Sequence, residues 1–553
     1  MDKRIKDPIY GYIDIPIDFV KEIIDTAVFQ RLRRVMQTSY APLYSSAVHN
    51  RFVHSIGVFY LGQITAGQLQ KEILKKNFLS KNKVEKYTKV YIMACLLHDV
   101  GHAPFSHTGE GFYKTDDYKS TELHKSLIDM VGSEKLKKDI PSNETEAAAP
   151  HEIMSCIIGI SEFGKLMGDV ASKEFFARCI TGYQYKRKTK ENEIKNCFIS
   201  MLNSKVIDVD RLDYLIRDAY ITGFETVNID YVRLLSSLTI VCHEEMYRVA
   251  YQKNALSIIE NVIYAHDAEK KWIQNHPVVL YECYLIQCII AYLNETLNDG
   301  DKKLFSSETL SKKGLDFKNG IHISLMCDDD IIYLLKTIFA KEINDEFFER
   351  RARRHPVWKS EAEYKAFVDA MSKEGQLKEE FMDCLKSFVE GRSDDIQKPL
   401  IINDKLEETL EKELKQKEKE AEKTLKEEGN STTIESIRQH QEGARRRLSL
   451  CKYLNEYAES HGLKKDFIII KANAFKSNFS KDEIAKVLIV FNQEKNEIIE
   501  PFAEVCNILK ADDVKAEFYY LYYRAGENGE GIVLKKEFCE ELYYAALGLQ
   551  KTK

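Results

Sequence analysis

A histidine-rich segment at residues 96–110, LLHDVGHAPFSHTGE, limits how this chain can fold more than any other part of it. Its titratable residues recur three and four positions apart, the spacing that shares one helix face, in the pairs His98/His102 and His107/Glu110. Gly101 and Pro104 interrupt the segment, and proline removes a backbone hydrogen bond that a continuous helix needs. The sequence therefore predicts short helical pieces here, each presenting a pair of polar side chains.

Two further segments supply side chains that match His98 and Asp99 in chemistry. RFVHSIG, upstream, contains His54, and VIDVDRLDYLIRD, downstream, contains Asp210. Two imidazoles and two carboxylates make a mixed nitrogen and oxygen ligand set, which suits Mn, Fe, Mg or Zn and does not choose between them. If these residues bind one cation, the fold must bring three distant segments together.

Composition narrows the class of protein. The chain has 553 residues, of which 44% are hydrophobic and 30% charged, so it can bury a large core and is not a disordered chain. A formal net charge of −6 argues against a protein built mainly to coat nucleic acid. Cysteines number 12 and form no CxxC pair, which indicates a reduced, cytoplasmic protein.

Neither the N-terminus nor the longest apolar run predicts export or membrane insertion. The first residues, MDKRIKDPIYGYIDIP, contain no apolar stretch long enough for a signal peptide. The run at 278–293 contains Glu282 and Gln287 and is shorter than the ~20 residues of a membrane span. We interpret it as a buried core helix.

Hydrophobic periodicity divides the chain into four predicted segments. An α-rich body at 1–300 begins with a short strand or turn at 7–16, and its helices are predicted from Asp18 to Val35 and near 54–78, 84–99, 165–182, 192–218, 228–240 and 253–294. A mixed connecting or regulatory segment follows at 301–400. Residues 401–460 are predicted as a charged helical hairpin around a turn at GNSTT, 429–433. IIIKA, VLIVF and 518–523 predict strands in an α+β lobe at 461–553.

Six blocks of sequence resemble the HD-domain phosphohydrolases, whose metal ligands follow the pattern H…HD…D, and most closely the dNTP triphosphohydrolases of that superfamily. They lie in the family's order over roughly residues 5–255: DPIYGYI, IIDTAVFQRLRRVMQ, HNRFVHSIGV, HDVGHAPFSH, DVDRLDYLIRDA and VAYQK. The similarity extends to the animal enzymes with a sterile-alpha-motif domain and to the bacterial dGTPases. DFIIIKA weakly resembles their C-terminal lobe. HDxGHxPFSH beside DxDRxDYxxRD is a highly specific combination, whereas the bare ligand pattern is only moderately so.

The resemblance implies a mainly α fold, in which an HD-domain helical core carries a small α+β C-terminal lobe and the inserted charged hairpin. It implies hydrolysis of a dNTP to a deoxynucleoside and triphosphate, with dGTPase activity as one form of this expectation. A divalent metal ion is expected in the site, with additional Mg bound to the nucleotide. No sterile-alpha-motif domain is expected before the HD domain.

The resemblance also assigns roles to individual residues. Metal binding is assigned to His54, His98, Asp99 and Asp210. Protonation of the leaving 5′-oxygen and donation to developing charge are assigned to His107, Glu110, His102 and His151. Contacts with the triphosphate, sugar and base are assigned to Arg51, Arg211, Gln37, Tyr214, Asp218, Tyr251 and Gln252. A regulatory nucleotide pocket is assigned to Asp25, Gln30 and Arg33.

Four of these positions refine the expectation. Tyr214 matches an aromatic residue packed under the sugar, where a 2′-hydroxyl would collide, so a deoxynucleotide is expected. Glu110 stands where the animal enzymes have aspartate and follows the bacterial dGTPase form. Arg211 replaces a lysine, and Lys6 replaces a small polar amide near the regulatory pocket.

The expected partners are a dNTP substrate, an activating nucleotide and other copies of this chain, as a homo-oligomer from dimer to tetramer or larger. Nucleic acid is not expected as the primary partner, and no membrane is. Balancing dNTP pools and antiviral defense both fit the reaction. Two alternatives stay open: another HD phosphohydrolase acting on a nucleoside monophosphate, a cyclic dinucleotide or an alarmone, and a nucleic-acid-binding protein with a vestigial HD site.

Overall fold

The computed structural model divides the chain into two compact units. The first comprises Met1–Ile273, Tyr292–Thr337 and Lys476–Val514, and the second Gln274–Ala291, Ile338–Phe475 and Lys515–Lys553. The structure describes residues 2–113, 120–141, 148–224, 228–297, 304–310, 314–317, 320–338, 341–369, 376–390, 400–426, 431–472, 479, 481–493, 496–506, 518–526, 531–532 and 536–549. The predicted turn residues 429–430 lie outside this set. The boundaries of the four predicted segments stay a prediction.

The first unit is mainly helical, and the mainly α prediction is confirmed. Its helical segments, including 3₁₀ and π turns, are Ile17–Phe19, Val20–Ile24, Ala27–Gln30, Arg31–Arg34, Arg51–Lys75, Lys81–Leu97, His107–Glu110, Ser120–Val131, Glu134–Asp139, Pro150–Met167, Val170–Thr181, Lys190–Leu202, Val209–Thr222, Tyr231–Ser236, Lys253–Ala255, Leu256–Glu269, Lys270–Gln274, Ser307–Leu310, Asp328–Thr337, Lys481–Ile484 and Phe502–Val505.

Three of these helices form the frame of the site. Arg51–Lys75 is buried on most of its faces and packs against both Lys81–Leu97 and Val209–Thr222. Its first turn is capped by the Asn50 side chain, which accepts the Val53 N–H. Capping groups of this kind satisfy the free N–H groups of a first turn and fix where a helix begins. Polar residues in these first and last turns are therefore held at defined positions.

The described part of the first unit contains four antiparallel strand pairs. Asp2–Asp7 pairs with Gly11–Pro16, where a short strand or turn was predicted. Leu238–His243 pairs with Met246–Gln252, which in turn lies parallel to Leu488–Gln493. The predicted helix at 228–240 is therefore wrong in its second half: Tyr231–Ser236 is helical, and the β-branched run that follows is a strand because it gains a partner. The remaining strands are Asn496–Pro501, Gly314–Asp316 and His322–Ser324.

Three other predicted helices are divided into shorter ones in the structure. The single helix predicted from Asp18 to Val35 is four short segments instead. The predicted stretch 192–218 is two helices, because the Asp208 side chain accepts the Arg211 N–H and starts a new one. At 165–182, Gly168 adopts a φ of +92° between two helices, a conformation that glycine tolerates.

The second unit combines helices with one sheet of three strands. Phe518–Arg524, FYYLYYR, lies between Arg354–Pro356 and Lys464–Ala472. It is buried along most of its length on both faces, which explains its continuous aromatic sequence. The unit's other helices are Lys341–Phe347, Glu361–Asp369, Gln376–Glu390 and Lys536–Ala546.

The charged helical hairpin also lies in the second unit. Asp404–Lys426 and Ser431–Ser460 run antiparallel, joined by ion pairs that include Arg447 with Glu413 at 2.7 Å. Leu410 is buried in the apolar seam, as the leucine spacing predicts. The hairpin therefore packs by a narrow apolar stripe and leaves most charges to solvent.

One described helix, Pro277–Leu297, passes a test of length and apolar composition for a membrane span, with 56% of its most apolar window buried inside the protein. A core helix passes the same test, so this is weak evidence for a membrane. The helix contains the run interpreted from sequence as a core helix.

Candidate functional site

The four residues assigned to metal binding lie together in the first unit, and we call them the ligand cluster. His54 Nε2 lies 3.2 Å from His98 Nε2 and 2.9 Å from Asp210 Oδ1. His98 Nε2 lies 3.4 Å from Asp99 Oδ1 and 3.5 Å from Asp210 Oδ1. The two imidazoles and Asp99 are buried, whereas the Asp210 side chain is 40% exposed. Three distant segments thus meet at one point that reaches solvent beside Asp210.

The spacing of these ligand atoms fits a single divalent cation. A cation with bonds of about 2.1 Å and near-octahedral geometry holds neighbouring ligand atoms about 3 Å apart. Contacts of 2.9 to 3.5 Å between imidazole nitrogens and carboxylate oxygens match that separation. Two nitrogens and two carboxylates, with one side open, leave positions for water and substrate.

Hydrogen bonds behind the ligand cluster fix the orientation of both imidazoles. His54 Nδ1 lies 2.7 Å from Asp213 Oδ2, and His98 Nδ1 lies 2.9 Å from the Cys95 carbonyl. An acceptor at Nδ1 selects the tautomer that leaves Nε2 without a proton and able to bind a cation. Asp213 also accepts hydrogen bonds from Arg217 and Tyr10, so its position is fixed from three sides.

The electrostatics of the ligand cluster favour positive charge. Burial alone would lower the pKa of His54, but the hydrogen bonds that it donates to the Asp210 and Asp213 carboxylates raise it to about 10. Burial would raise the pKa of Asp99, but Arg51 and the neighbouring histidines hold it well below the usual range. A divalent cation bound here competes with a proton for the same atoms, so binding depends on pH.

Arg51, assigned to the triphosphate, is buried against the ligand cluster. Its guanidinium donates to Asp99 Oδ2 at 2.8 Å, to Ser106 Oγ at 2.9 Å and to the Gln37 carbonyl at 3.4 Å. These contacts hold the orientation of Asp99 and connect it to two loops. Its assignment to the triphosphate stays a prediction.

The residues assigned to catalysis form a second group, the imidazole cluster, consisting of His102, His107, Glu110 and His151. The His102 ring stacks on His151 with centroids 4.1 Å apart, and His107 meets both rings edge-on at 4.9 and 5.0 Å. Glu110 joins two of them: Oε2 lies 3.2 Å from His107 Nδ1, and Oε1 lies 2.9 Å from His151 Nδ1. The two clusters meet where His102 Nε2 lies 3.2 Å from Asp99 Oδ1.

Charge is unevenly shared within the imidazole cluster. Burial would lower the pKa of His151, but the Glu110 carboxylate raises it to about 9. Burial would raise the pKa of Glu110, but the two histidines hold it below its usual range. The pKa of His107 is lowered by desolvation and by protonated His151, against the effect of Glu110. The His107 side chain is nevertheless 65% exposed, so it is the member that can meet a substrate.

Irregular backbone carries this cluster. His107–Glu110 is a helix of only four residues, and the two residues before it, Phe105 and Ser106, have φ of +58° and +53°. Positive φ is strained for residues with a Cβ and persists where surrounding contacts impose it. The separate short helical pieces expected from Gly101 and Pro104 match this arrangement.

Residues assigned to the substrate surround the two clusters with several polar atoms that have no hydrogen-bond partner among the described residues. These atoms are Gln37 Oε1, His102 Nδ1 and Arg211 Nε. Buried polar groups are normally satisfied, so their convergence beside a cation site favours a polar ligand. Asp218, which is buried, contacts His49 Nε2 at 2.7 Å, and Tyr214 is half-buried on the same helix as Asp210.

The remaining assigned residues are placed less distinctively. Tyr251 is buried, with its hydroxyl 3.9 Å from Met201 Sδ, and Gln252 follows it at the end of the strand Met246–Gln252. Their assignment to sugar and base stays a prediction.

The three regulatory residues lie on or beside the short helices near residue 30. Gln30 donates to the Ile24 carbonyl and accepts from Arg33, whose guanidinium lies over the Phe52 ring. Asp25 is exposed, with Lys3 at 3.9 Å. A nucleotide pocket between subunits stays a prediction.

Three residues outside the predicted set support the site. Asp213 orients His54, His49 contacts Asp218, and Asp328 accepts backbone N–H groups from Met36 and Phe105. Asp213 has a sequence signal, because it lies one helical turn after Asp210. Asp328 has none, since it lies more than 200 residues from the loops that it contacts.

Comparison with known proteins agrees with this geometry. The profile of the HD domain matches residues 51–154, which contain His54, His98 and Asp99. An uncharacterized protein of Mycoplasma genitalium is 29% identical over 264 residues, which cover 47% of this chain and 52% of its own.

Several similar proteins are named deoxynucleoside triphosphate triphosphohydrolases. The SAMHD1 homolog of Dictyostelium discoideum is 29% identical over 280 residues, covering 48% of this chain and 47% of its own. SAMHD1 of Homo sapiens is 27% identical over 285 residues, covering 50% and 42%. The chain spans about half the length of the curated relatives it matches. The resemblance to the HD-domain dNTP triphosphohydrolases is confirmed, and the matches support a phosphohydrolase with a divalent metal site.

Proposed function

We propose that this protein hydrolyses deoxynucleoside triphosphates to deoxynucleoside and inorganic triphosphate, with a divalent cation held by the ligand cluster. The observation that carries the proposal is the contact between the two clusters at His102 and Asp99, 3.2 Å apart. This contact sets four metal ligands beside a histidine–carboxylate system that can move a proton. Two relatives named as dNTP triphosphohydrolases support the choice of substrate.

The bound cation would lower the pKa of a coordinated water and polarise a phosphate oxygen. His54 and His98 would hold it through Nε2, and Asp99 and Asp210 would hold it through carboxylate oxygens. Arg51 keeps Asp99 ionised and oriented through its 2.8 Å hydrogen bond. Because Asp210 is the exposed ligand, substrate reaches the cation from its side.

His107 is the residue that protonates the leaving 5′-oxygen in this proposal. It is the exposed member of the imidazole cluster, and Glu110 orients its Nδ1. The negative charge of a bound triphosphate raises the pKa of a nearby imidazole, which offsets the desolvation acting on His107 in the free protein. His151, held protonated by Glu110, and His102 donate to developing phosphate charge.

Selection of a deoxy sugar rests on Gln37, Asp218 and Tyr214. Gln37 Oε1 has no hydrogen-bond partner among the described residues and is buried. It and Asp218 bind the 3′-hydroxyl in this proposal, while Tyr214 packs where a 2′-hydroxyl would stand. Arg211, whose Nε is also without a hydrogen-bond partner among the residues described, binds a phosphate oxygen.

The proposal extends to setting and regulation. We place the enzyme in the cytoplasm as a homo-oligomer that responds to a second nucleotide at Asp25, Gln30 and Arg33, with dNTP-pool balance or antiviral defense as its role. Deleting its gene and finding unchanged dNTP pools and unchanged phage sensitivity would count against both roles.

A nucleotide matrix tests the reaction. The purified chain is stripped with a chelator, reloaded separately with Mn, Fe, Mg or Zn, and given each dNTP and NTP, alone and with each second nucleotide. Equal amounts of deoxynucleoside and inorganic triphosphate, formed only with metal and not from NTPs, are expected. Release of pyrophosphate and a monophosphate, or no turnover under any condition, would contradict the proposal.

A further inference from the structure

A short segment before the helix Asp328–Thr337 contacts both loops that carry the site. Arg31 Nε donates to the Met326 carbonyl at 2.6 Å, and its Nη2 donates to the His102 carbonyl at 2.7 Å. The Asp328 carboxylate accepts the Met36 N–H at 2.8 Å through Oδ2 and the Phe105 N–H at 2.6 Å through Oδ1. One carboxylate therefore bridges two loops that are about 70 residues apart in sequence.

The two loops are also joined to each other beside the ligand cluster. The Ser106 hydroxyl donates to the Met36 carbonyl and accepts from Arg51 Nε, while another nitrogen of Arg51 donates to Asp99. Phe105 and Ser106 hold the strained positive φ that aims the next residue, His107, into the site. The Asp328 hydrogen bond is made at the first of these strained residues.

The geometry of Asp328 is itself fixed by its helix. Asp330 Oδ2 accepts the Cys327 N–H at 2.8 Å and so satisfies the helix terminus. Asp328 is thereby left to reach outward to the loops, where it is buried. Its neighbour Asp329 is 67% exposed and pairs with the Arg34 side chain at 3.3 Å, and no hydrogen bond joins it to the Met36–Gln37 or Phe105–His107 backbones among the described residues.

We infer that Asp328 is a positioning residue, which holds the Met36–Gln37 and Phe105–His107 backbones in the arrangement that hydrolysis requires. Among the described residues its hydrogen bonds go to the Met36 and Phe105 backbones and not to the cation ligands, so it acts through Gln37 and His107, which follow these positions. The inference rests on the proposed function for the roles of those two residues. The bridge between the loops is independent of that function.

The bridge depends on the charge of Asp328. An ionised carboxylate accepts on both oxygens, whereas a protonated one is a weaker acceptor on one of them. Burial raises the pKa of Asp328 to about 7, against the two backbone hydrogen bonds and Arg31, and Asp329 adds to the rise. The ionised form grows as pH rises through about 7, so the bridge tightens from pH 6 to pH 8.

Hydrogen–deuterium exchange of Asp328→Asn tests the bridge, with Asp329→Asn as the matched control. The amide turns one acceptor into a donor facing an N–H. Peptides covering residues 31–37 and 102–107 should lose about 10-fold in protection factor, as expected for one lost charge-assisted hydrogen bond. The control should stay within about 2-fold. Equal protection of both segments in Asp328→Asn and the unaltered protein would overturn the inference.

Kinetics separate positioning from mere stability. Asp328→Asn should lower kcat by about 10- to 100-fold at unchanged metal content, because a displaced catalytic group loses rate steeply with distance. An unchanged kcat alongside lost protection would overturn the positioning role. If the unaltered protein hydrolyses no dNTP, the proposed function fails, while the exchange comparison still decides whether Asp328 bridges the loops.

A pH series on the unaltered protein guards against a variant that does not fold. Protection factors, corrected for intrinsic exchange, should rise between pH 6 and 8 in peptides 31–37 and 102–107, and not in Lys81–Leu97, which lies away from the bridge. A flat profile in the two loop peptides would overturn the inference without any substitution.

Discussion

The ligand cluster and the imidazole cluster use the same residue types on very different supports. His54 and Asp210 lie in the first turns of long helices, and His98 directly follows the last residue of another. The imidazole cluster stands on a four-residue helix after two residues of positive φ, with His151 near the start of Pro150–Met167. One cluster is therefore fixed by packed helices, and the other by hydrogen bonds between loops.

This difference matches the work proposed for each. A cation site requires ligand atoms held within narrow distances, and long helices provide that rigidity. A proton donor must approach a substrate that arrives and leaves, so it gains from an exposed position such as that of His107. Substitutions in the ligand cluster should therefore abolish metal binding and hydrolysis together. Substitutions in the imidazole cluster should lower hydrolysis while metal binding is kept.

The largest effect is expected from Asp210→Ala. Removing the exposed ligand leaves three ligands and should reduce bound metal to a small fraction of one per chain and lower kcat by at least about 1000-fold. Metal content by elemental analysis and dNTP hydrolysis measure it. Glu85→Ala, at an exposed helix position paired with Lys81, should change neither. Full hydrolysis by Asp210→Ala would refute the metal assignment.

A smaller loss, with metal retained, is expected from Glu110→Gln. The amide no longer orients His107 or holds a proton on His151, so kcat should fall about 100-fold or more. Bound metal should match that of the unaltered protein, because Glu110 contacts neither His54 nor Asp210 among the described contacts. Loss of metal together with activity would show that the two clusters are not separable.

The sequence could single out the four side chains of the ligand cluster because their signals are local, and their role as metal ligands stays a prediction. Each part of the H…HD…D pattern stands within a recognisable segment of its own, and the spacing of Asp210 and Asp213 is visible in the last of them. Gly57 is a further local signal in the same segment as His54. A Cβ at this position would collide with the Asp213 carboxylate and with Arg217. A glycine one helical turn after His54 is thus required by the residue that orients His54.

What the sequence could not predict depends on long-range pairing. Residues 238–240 were predicted as helix, but their strand pairs with Met246–Gln252, which itself pairs with Leu488–Gln493 far along the chain. The burial of Arg51 against Asp99 depends on three segments meeting. Asp328 contacts the site from a region whose sequence carries no motif. Backbone strain at Phe105 and Ser106 is likewise imposed by these contacts.

Asp213→Asn is expected to weaken metal binding without lowering kcat, an effect smaller than those of Asp210→Ala and Glu110→Gln. Substituting a residue that orients a metal-bound histidine typically weakens metal affinity about 10- to 100-fold, and kcat at saturating metal should change little. Asp7→Asn is the matched control, because Asp7 accepts from the same Arg217 without touching His54. Both variants should be less stable, but only Asp213→Asn should need more metal for half-maximal activity. Equal metal requirements would remove Asp213 from the site.

The smallest effect is expected in the pH dependence of the free energy of unfolding, and this measurement reports on the imidazole cluster alone. Glu110 raises the pKa of His151 to about 9, above the unfolded value of about 6.5. The raised pKa stabilises the fold fully below pH 6.5, and this stabilisation is lost as pH rises through about 9. Between these pH values, the stability advantage of the unaltered protein over Glu110→Gln should shrink by about 1–3 kcal/mol in urea unfolding.

The comparison variant for this measurement is Glu85→Gln, which removes an exposed pair with Lys81 and should leave the pH slope unchanged. Parallel slopes for the unaltered protein and Glu110→Gln would mean that His151 is not held protonated by Glu110. The imidazole cluster would then lack the fixed positive charge proposed to meet a phosphate. His107 would still have its own contact with the carboxylate, because Glu110 Oε2 contacts His107 and Oε1 contacts His151. The role of His107 as proton donor would then be tested by the kinetics of Glu110→Gln alone.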